Sequence, residues 1–198
     1  MTLVAGLLSG CSLKSVTTNE KSLPTAFTAT VEVDFDDTIY EMLLTRWSDG
    51  WWNIELTSPA IVSGLIFDVQ GEETTISFKG LNFSFDSSKF PVGSVVSLVT
   101  KSFDKLVPLE LDVTEGAESD YCSGEESGTV YSLTFSKTGI PMILELGDSE
   151  DENYMRITFV DFELITSESE ESAESEDEAA DSEDSEESVS DEIIIVDE

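Results

Sequence analysis

The sequence predicts a mainly β fold of the α+β kind, a strongly curved antiparallel sheet of about ten strands wrapped around one amphipathic helix. Three observations lead there. Apolar and polar residues alternate through ten short runs, the period of half-buried strands. Short Gly, Asp and Ser connections join the runs, which suits antiparallel hairpins. One segment, residues 93–107, repeats its apolar residues every three or four positions instead, the period of a helix.

The chain opens on a short apolar run ending in Leu8-Ser9-Gly10-Cys11. This resembles the lipobox of bacterial lipoprotein signal peptides, a Leu, two small residues and the Cys that is acylated and becomes the first mature residue. Met1-Thr2 lacks the basic residue that usually opens such peptides. The competing reading is a buried N-terminal strand with an incidental Cys. On the first reading residues 1–10 are a signal peptide, and 11–22 are the lipidated Cys11 with a polar tether. The run is too short to span a membrane as a helix.

From Leu23 to residue 166 the pattern is that of a folded domain. Phe27, Ala29, Val31, Val33 and Phe35 share one face of the first run. Tyr40, Met42 and Leu44 follow, then Ile54 and Leu56 beyond Ser48-Asp49-Gly50. A three-residue loop there, with Gly50 left-handed, pairs Leu44 with Ile54 and Met42 with Leu56. A two-residue loop would set Leu44 against Glu55. Leu65, Phe67 and Val69, then Ile76 and Phe78, then Leu81, Phe83 and Phe85 continue the alternation, with turns at Gly71-Glu72 and Lys79-Gly80. In 93–107, Val95, Val96, Val99, Phe103 and Leu106 form one stripe, and Lys101, Asp104 and Lys105 lie off it. Pro91 and Pro108 bound this helix. Four further runs are centred on Leu111, Leu133, Leu144 and Ile157.

Ten strands at about 4.8 Å each make a sheet roughly 48 Å wide. A helix of about 14 residues is roughly 21 Å long and 10 Å across. One such helix cannot cover a flat apolar face of that size, and soluble domains avoid large open apolar patches. The sheet must curl around the helix, close on itself, or keep part of its concave face for a ligand. Two packed sheets are the alternative, but they leave the helix without a role.

Charge bounds the function. The 198 residues carry 9 Lys and Arg against 43 Asp and Glu, a net −34, with no His. This argues against nucleic acid as a direct partner, because phosphate neutralisation needs a basic surface. His-based triads and His metal ligands are excluded by composition. Two Cys cannot build a disulfide framework, so the fold must rest on its core. Sixteen acids and no Lys or Arg fall in residues 167–198, which leaves 1–166 at −18. Residues 167–190 have almost no large apolar side chain, so this Ser-, Glu- and Asp-rich tail is expected to be disordered. The terminal Ile193–Val196, flanked by acids, could add as a strand to a sheet edge or remain a disordered end.

Trp52–Pro59, Gly64–Val69 and the Thr75–Ser84 hairpin with its Phe78-Lys79-Gly80-Leu81 core, followed by the helix, resemble the uncharacterised lipoproteins of Gram-positive bacteria that share the LolA/LolB-like half-barrel. The resemblance covers roughly residues 26–165. It implies a half-barrel with a greasy cavity for acyl chains. Its lining would come from Tyr40, Met42 and Leu44, from Trp52, Ile54 and Leu56, and from Phe67, Phe78 and Phe83, with Phe103 on the helix.

The remaining features favour structural readings. Trp47, Trp51 and Trp52 sit at one hairpin, where Arg46 would face Trp52 in a cation–π contact. They are an aromatic lip, a membrane-touching edge, or simply cross-strand packing. The acidic turns at Asp34–Asp37 and Asp148–Glu152 lack the EF-hand spacing and read as solvated turns. Cys122 reads as a small buried apolar residue. No nucleophile–base spacing or Gly-rich phosphate loop is present, so no enzyme and no cofactor is expected. The expected protein is lipid-anchored through Cys11 on the outer face of a bacterial membrane, binding a lipid or other apolar ligand. The alternative is a structural or interaction lipoprotein whose core is filled by its own side chains.

Overall fold

A computed structural model describes residues 18–91, 94–148 and 154–166. The described strands, in chain order, are β1 (Thr18–Lys21), β2 (Phe27–Phe35), β3 (Thr38–Arg46), β4 (Trp52–Ser58), β5 (Leu65–Gln70) and β6 (Glu73–Phe78). They continue with β7 (Leu81–Asp86), β8 (Leu111–Glu115), β9 (Asp120–Glu126), β10 (Thr129–Phe135), β11 (Pro141–Leu146) and β12 (Met155–Leu164). A 3-10 turn at Ser87–Lys89 and one helix, α1 (Val95–Leu106), lie between β7 and β8. All twelve strands form one antiparallel sheet, mainly β and open at its ends, as the alternation predicts.

Two strands go beyond the expected ten. β1 falls inside the stretch expected as a tether, where four polar residues pair with Leu111–Thr114 of β8. Backbone pairing at a sheet edge needs no apolar period, so the sequence pattern is silent there. β9, an interior strand between β8 and β10, escapes the pattern for another reason. Its sequence is Asp-Tyr-Cys-Ser-Gly-Glu-Glu, and its inward positions are Asp120, Cys122 and Gly124 rather than large apolar residues. At Gly124 a side chain is impossible without movement, because a Cβ would stand 2.7 Å from the Tyr131 hydroxyl. The Tyr131 ring supplies the packing that the glycine lacks.

The strand order is β1-β8-β9-β10-β11-β12-β2-β3-β4-β5-β6-β7. It consists of two meanders, β2–β7 and β8–β12, joined where the last strand pairs with the second along Leu164↔Phe27 to Met155↔Phe35. The chain leaves β7 at one edge and must re-enter at β8, next to the other edge. Ten strand spacings separate them, roughly 48 Å along a flat sheet. The α1 connection makes this crossing and therefore lies over the sheet face. Ser94 caps the helix, its Oγ accepting the Ser97 N–H at 3.2 Å, which trims the expected 14 residues to 12.

The helix stripe is buried as expected, with Val96, Val99, Phe103 and Leu106 essentially inaccessible. Phe103 meets Phe27 at 5.7 Å, Trp52 at 5.8 Å and Phe159 at 5.9 Å between ring centroids. Asp104, off the stripe, ties the helix to the sheet. Its Oδ1 accepts from Arg46 Nε at 3.2 Å, Arg46 Nη2 at 3.0 Å and Trp52 Nε1 at 3.2 Å. Arg46 also donates to the carbonyls of Thr25 and Trp47. A buried guanidinium needs such partners, since desolvating it without them costs several kcal/mol.

Candidate functional site

Three inward-facing rows run across the β2–β7 meander, because directly paired residues share a face. The first is Phe27, Arg46, Trp52, Val69, Thr74 and Phe85. The second is Ala29, Leu44, Ile54, Phe67, Ile76 and Phe83, and the third runs from Val31 through Met42 and Leu56 to Leu65. The β6–β7 hairpin extends that third row with Phe78 and Leu81.

Burial falls along the second and third rows in one direction. Val31, Met42, Leu44, Ile54 and Leu56 are fully buried near α1, Ile76 and Phe78 are half-buried, and the last residues stand open. Leu81 is 60 % and Phe83 63 % exposed, although both lie on the face that elsewhere forms the core. The cause is geometric. α1 and Phe90, which packs on Phe67 at 5.8 Å and Phe85 at 5.9 Å, cover the sheet only that far. In the β4–β5 connection, Val62 packs against the core and Ile61 is 87 % exposed. The uncovered apolar end of the concave face is the candidate site.

The sequence-derived lining residues divide accordingly. Met42, Leu44, Trp52, Ile54, Leu56, Phe67 and Phe103 are buried in the core, packed among themselves and against α1 rather than around an open cavity. Tyr40 and Phe78 are partly exposed. Phe83 lines no enclosed space and faces solvent. Sequence reasoning missed Leu81 as a site residue, yet the Lys79-Gly80 turn announces it. A two-residue turn makes Phe78 and Leu81 a closing pair on one face.

Three hollows are lined by described residues alone. A gap of about 20 Å³ near Leu106, Tyr131 and Leu146 has room for about one water. A shallow hollow of about 310 Å³ has a mixed lining, with Leu43 beside Thr28, Thr30, Thr45, Asp161 and Glu163. Another of about 310 Å³ runs along Glu72, Glu73, Ser84, Phe85 and Asp86, beside the open end.

Arg46 faces Trp52 as the three-residue loop requires, its guanidinium 5.5 Å from the ring centre. Trp51 is 44 % exposed at the tip, and its carbonyl accepts the Trp47 N–H at 3.0 Å. Asp36 and Asp37 form a left-handed two-residue turn. Cys122 is a free, buried thiol whose pKa burial pushes up to about 11, so it stays protonated and unreactive. Asp120 is the one buried carboxylate among the described residues, clamped by Lys137 at 2.6 Å and Lys21 at 2.9 Å. Hydrogen bonds from Lys137 first, then Lys21, hold its pKa down at about 2. The cluster joins β1, β9 and the β10–β11 loop and reads as a structural clamp. Cys11, residues 149–153 and the tail from 167 lie outside the described residues.

No family model matches the chain, and no curated protein matches it. Among solved structures it is similar to an uncharacterized conserved protein from Thermus thermophilus, at 13 % identity and TM-score 0.47 over 73 % of this chain and 81 % of that one. It is also similar to a LolA superfamily protein from Nitrosomonas europaea, at 10 % identity and TM-score 0.42 over 73 % and 89 % of the two chains. A DUF1329 family protein from Desulfovibrio piger is similar at 12 % identity and TM-score 0.40, over 78 % and 88 %.

Proposed function

We propose that this protein is a non-catalytic, extracytoplasmic lipoprotein domain that takes an apolar ligand, such as an acyl chain, on the uncovered end of its concave face. The observation that carries the reading is the two rows of inward-facing residues that end in exposed Phe83 and Leu81. Apolar side chains on the core face of a sheet are exposed at a cost of about 25 cal/mol per Å² unless something covers them. The anchoring part of the proposal rests on Leu8-Ser9-Gly10-Cys11. Two or three acyl chains on Cys11 would hold the domain at the outer face of a bacterial membrane, where a single chain would not.

A fluorescent fatty acid such as cis-parinaric acid tests the ligand. The parent should bind it at micromolar concentration, and Leu81→Asp should weaken binding about tenfold, the loss of roughly 1.4 kcal/mol of apolar contact. Absence of binding, or binding untouched by Leu81→Asp, would sink the reading. Palmitate labelling in a bacterial host tests the anchor, with Cys11→Ala expected to lose the label and move to the soluble fraction. The self-filled core beneath α1 favours the second reading, an interaction lipoprotein without a small ligand. That reading expects no probe binding at all.

A further inference from the structure

The same end of the molecule carries a second, independent feature, the free edge of the sheet. The two edges are unequal. β1 has four residues and includes Glu20 and Lys21, a short charged edge of the kind that blocks further pairing. β7 has six residues, no Pro, and no charge from Leu81 to Phe85, and among the described residues it pairs with β6 alone.

We infer that β7 is a homodimerisation edge, pairing antiparallel with β7 of a second copy about a two-fold axis at Phe83. Backbone geometry fixes which groups are available. Lys79 and Gly80 both have positive φ, 50° and 81°, so Phe78 and Leu81 close the turn as a hydrogen-bonded pair. Leu81, Phe83 and Phe85 therefore turn their N–H and C=O toward β6. Asn82, Ser84 and Asp86 turn theirs outward.

Side chains then select the register. Only with Phe83 opposite Phe83 does every apolar residue of the concave face meet an apolar partner, Leu81 opposite Phe85 on either side. In that register Asn82 faces Ser84 as an outward-pointing pair that exchanges hydrogen bonds, once on each side of the axis, and Asp86 lies beside the Lys79-Gly80 turn of the other copy. Phe83 then occupies a non-hydrogen-bonded pair, where Cβ atoms approach to about 4.5–5.5 Å and rings pack best. β7 itself carries one charge, Asp86, with Glu73 opposite it on β6, and the register sets Asp86 of one copy beside Lys79 of the other. An occupant other than a second copy would have to supply this match by chance, whereas the sequence supplies it to itself. The pairing would also make the two exposed ends one continuous apolar trough.

Sedimentation equilibrium of the full chain at physiological salt reads the proposal. The weight-average mass should rise from 21.7 kDa toward twice that value, with a dissociation constant on the order of 10–100 µM, as a small interface implies. Asn82→Pro removes one outward N–H without touching the β6 ladder, and should abolish the rise while leaving cis-parinaric acid binding in place. Phe83→Lys and Phe83→Glu should each be monomeric, and their equimolar mixture should recover the dimer. Far-UV circular dichroism should match the parent for all three, since each site is exposed. A parent that stays monomeric to about 500 µM, far above that range, overturns the inference. So does a dimer that survives Asn82→Pro, or a Lys–Glu mixture that fails to associate. Loss of fatty-acid binding with an intact dimer would instead remove only the ligand reading.

Discussion

Asp120 shows how one residue can hold a sheet edge that the apolar pattern does not specify. β1 has little to bury, and Lys21 at its end reaches Asp120 at 2.9 Å while Lys137 reaches it from the other side at 2.6 Å. The folded pKa of about 2 lies below the ordinary 3.8, so the clamp contributes fully above pH 4 and is lost as pH falls through about 2. Asp120→Asn should therefore lower the melting temperature near pH 6. The gap to the parent should close between pH 4 and pH 2, and a gap constant with pH would assign the effect to packing instead. Cys122 makes a simpler test. Buried, with its pKa raised to about 11, it should react with a thiol reagent at pH 8 only after denaturation. At Gly124, Ala would displace the Tyr131 ring, and a loss of about 1–3 kcal/mol in denaturant unfolding is expected.

At the scale of elements, α1 is the single helix among the described residues, and its attachment decides how much of the sheet is covered. Phe103 packs on three rings from three strands, so Phe103→Ala should cost about 3–5 kcal/mol in chemical denaturation. The polar half of the attachment is weaker. Asp104 is nearly half exposed, so solvent screens its pair with Arg46, and Asp104→Asn should cost only about 1 kcal/mol. Arg46→Met should cost more, about 2 kcal/mol, because it leaves Asp104 with Trp52 Nε1 alone and takes the Arg46 donor from the carbonyls of Thr25 and Trp47. The helix itself was legible from its stripe and its flanking prolines. Asp104's part in the attachment was not, because a residue off the stripe shows no sign of which strand it will meet.

At the scale of the whole molecule, the acidic balance is a global force on a local design. Removing residues 167–198 takes the net charge from −34 to −18. The melting temperature should stay equal or rise slightly at low salt, with the difference fading as salt screens it. A fall of several degrees at high salt as well would make Ile193–Val196 part of the fold. By itself the sequence determined the class, the antiparallel hairpins, the register around Ser48–Gly50 and the buried stripe of the helix, since alternation and turn chemistry act within a few residues. It could not show β1 or β9, whose ladders are backbone pairings held by Asp120 and Gly124 rather than by an apolar period. Nor could it separate core from site among the inward residues. Ile54 and Phe83 read alike in sequence, and they differ because α1 crosses the sheet over one and stops short of the other. That distinction is a distance across the fold, set by where the helix lands, and so only the tertiary structure decided it.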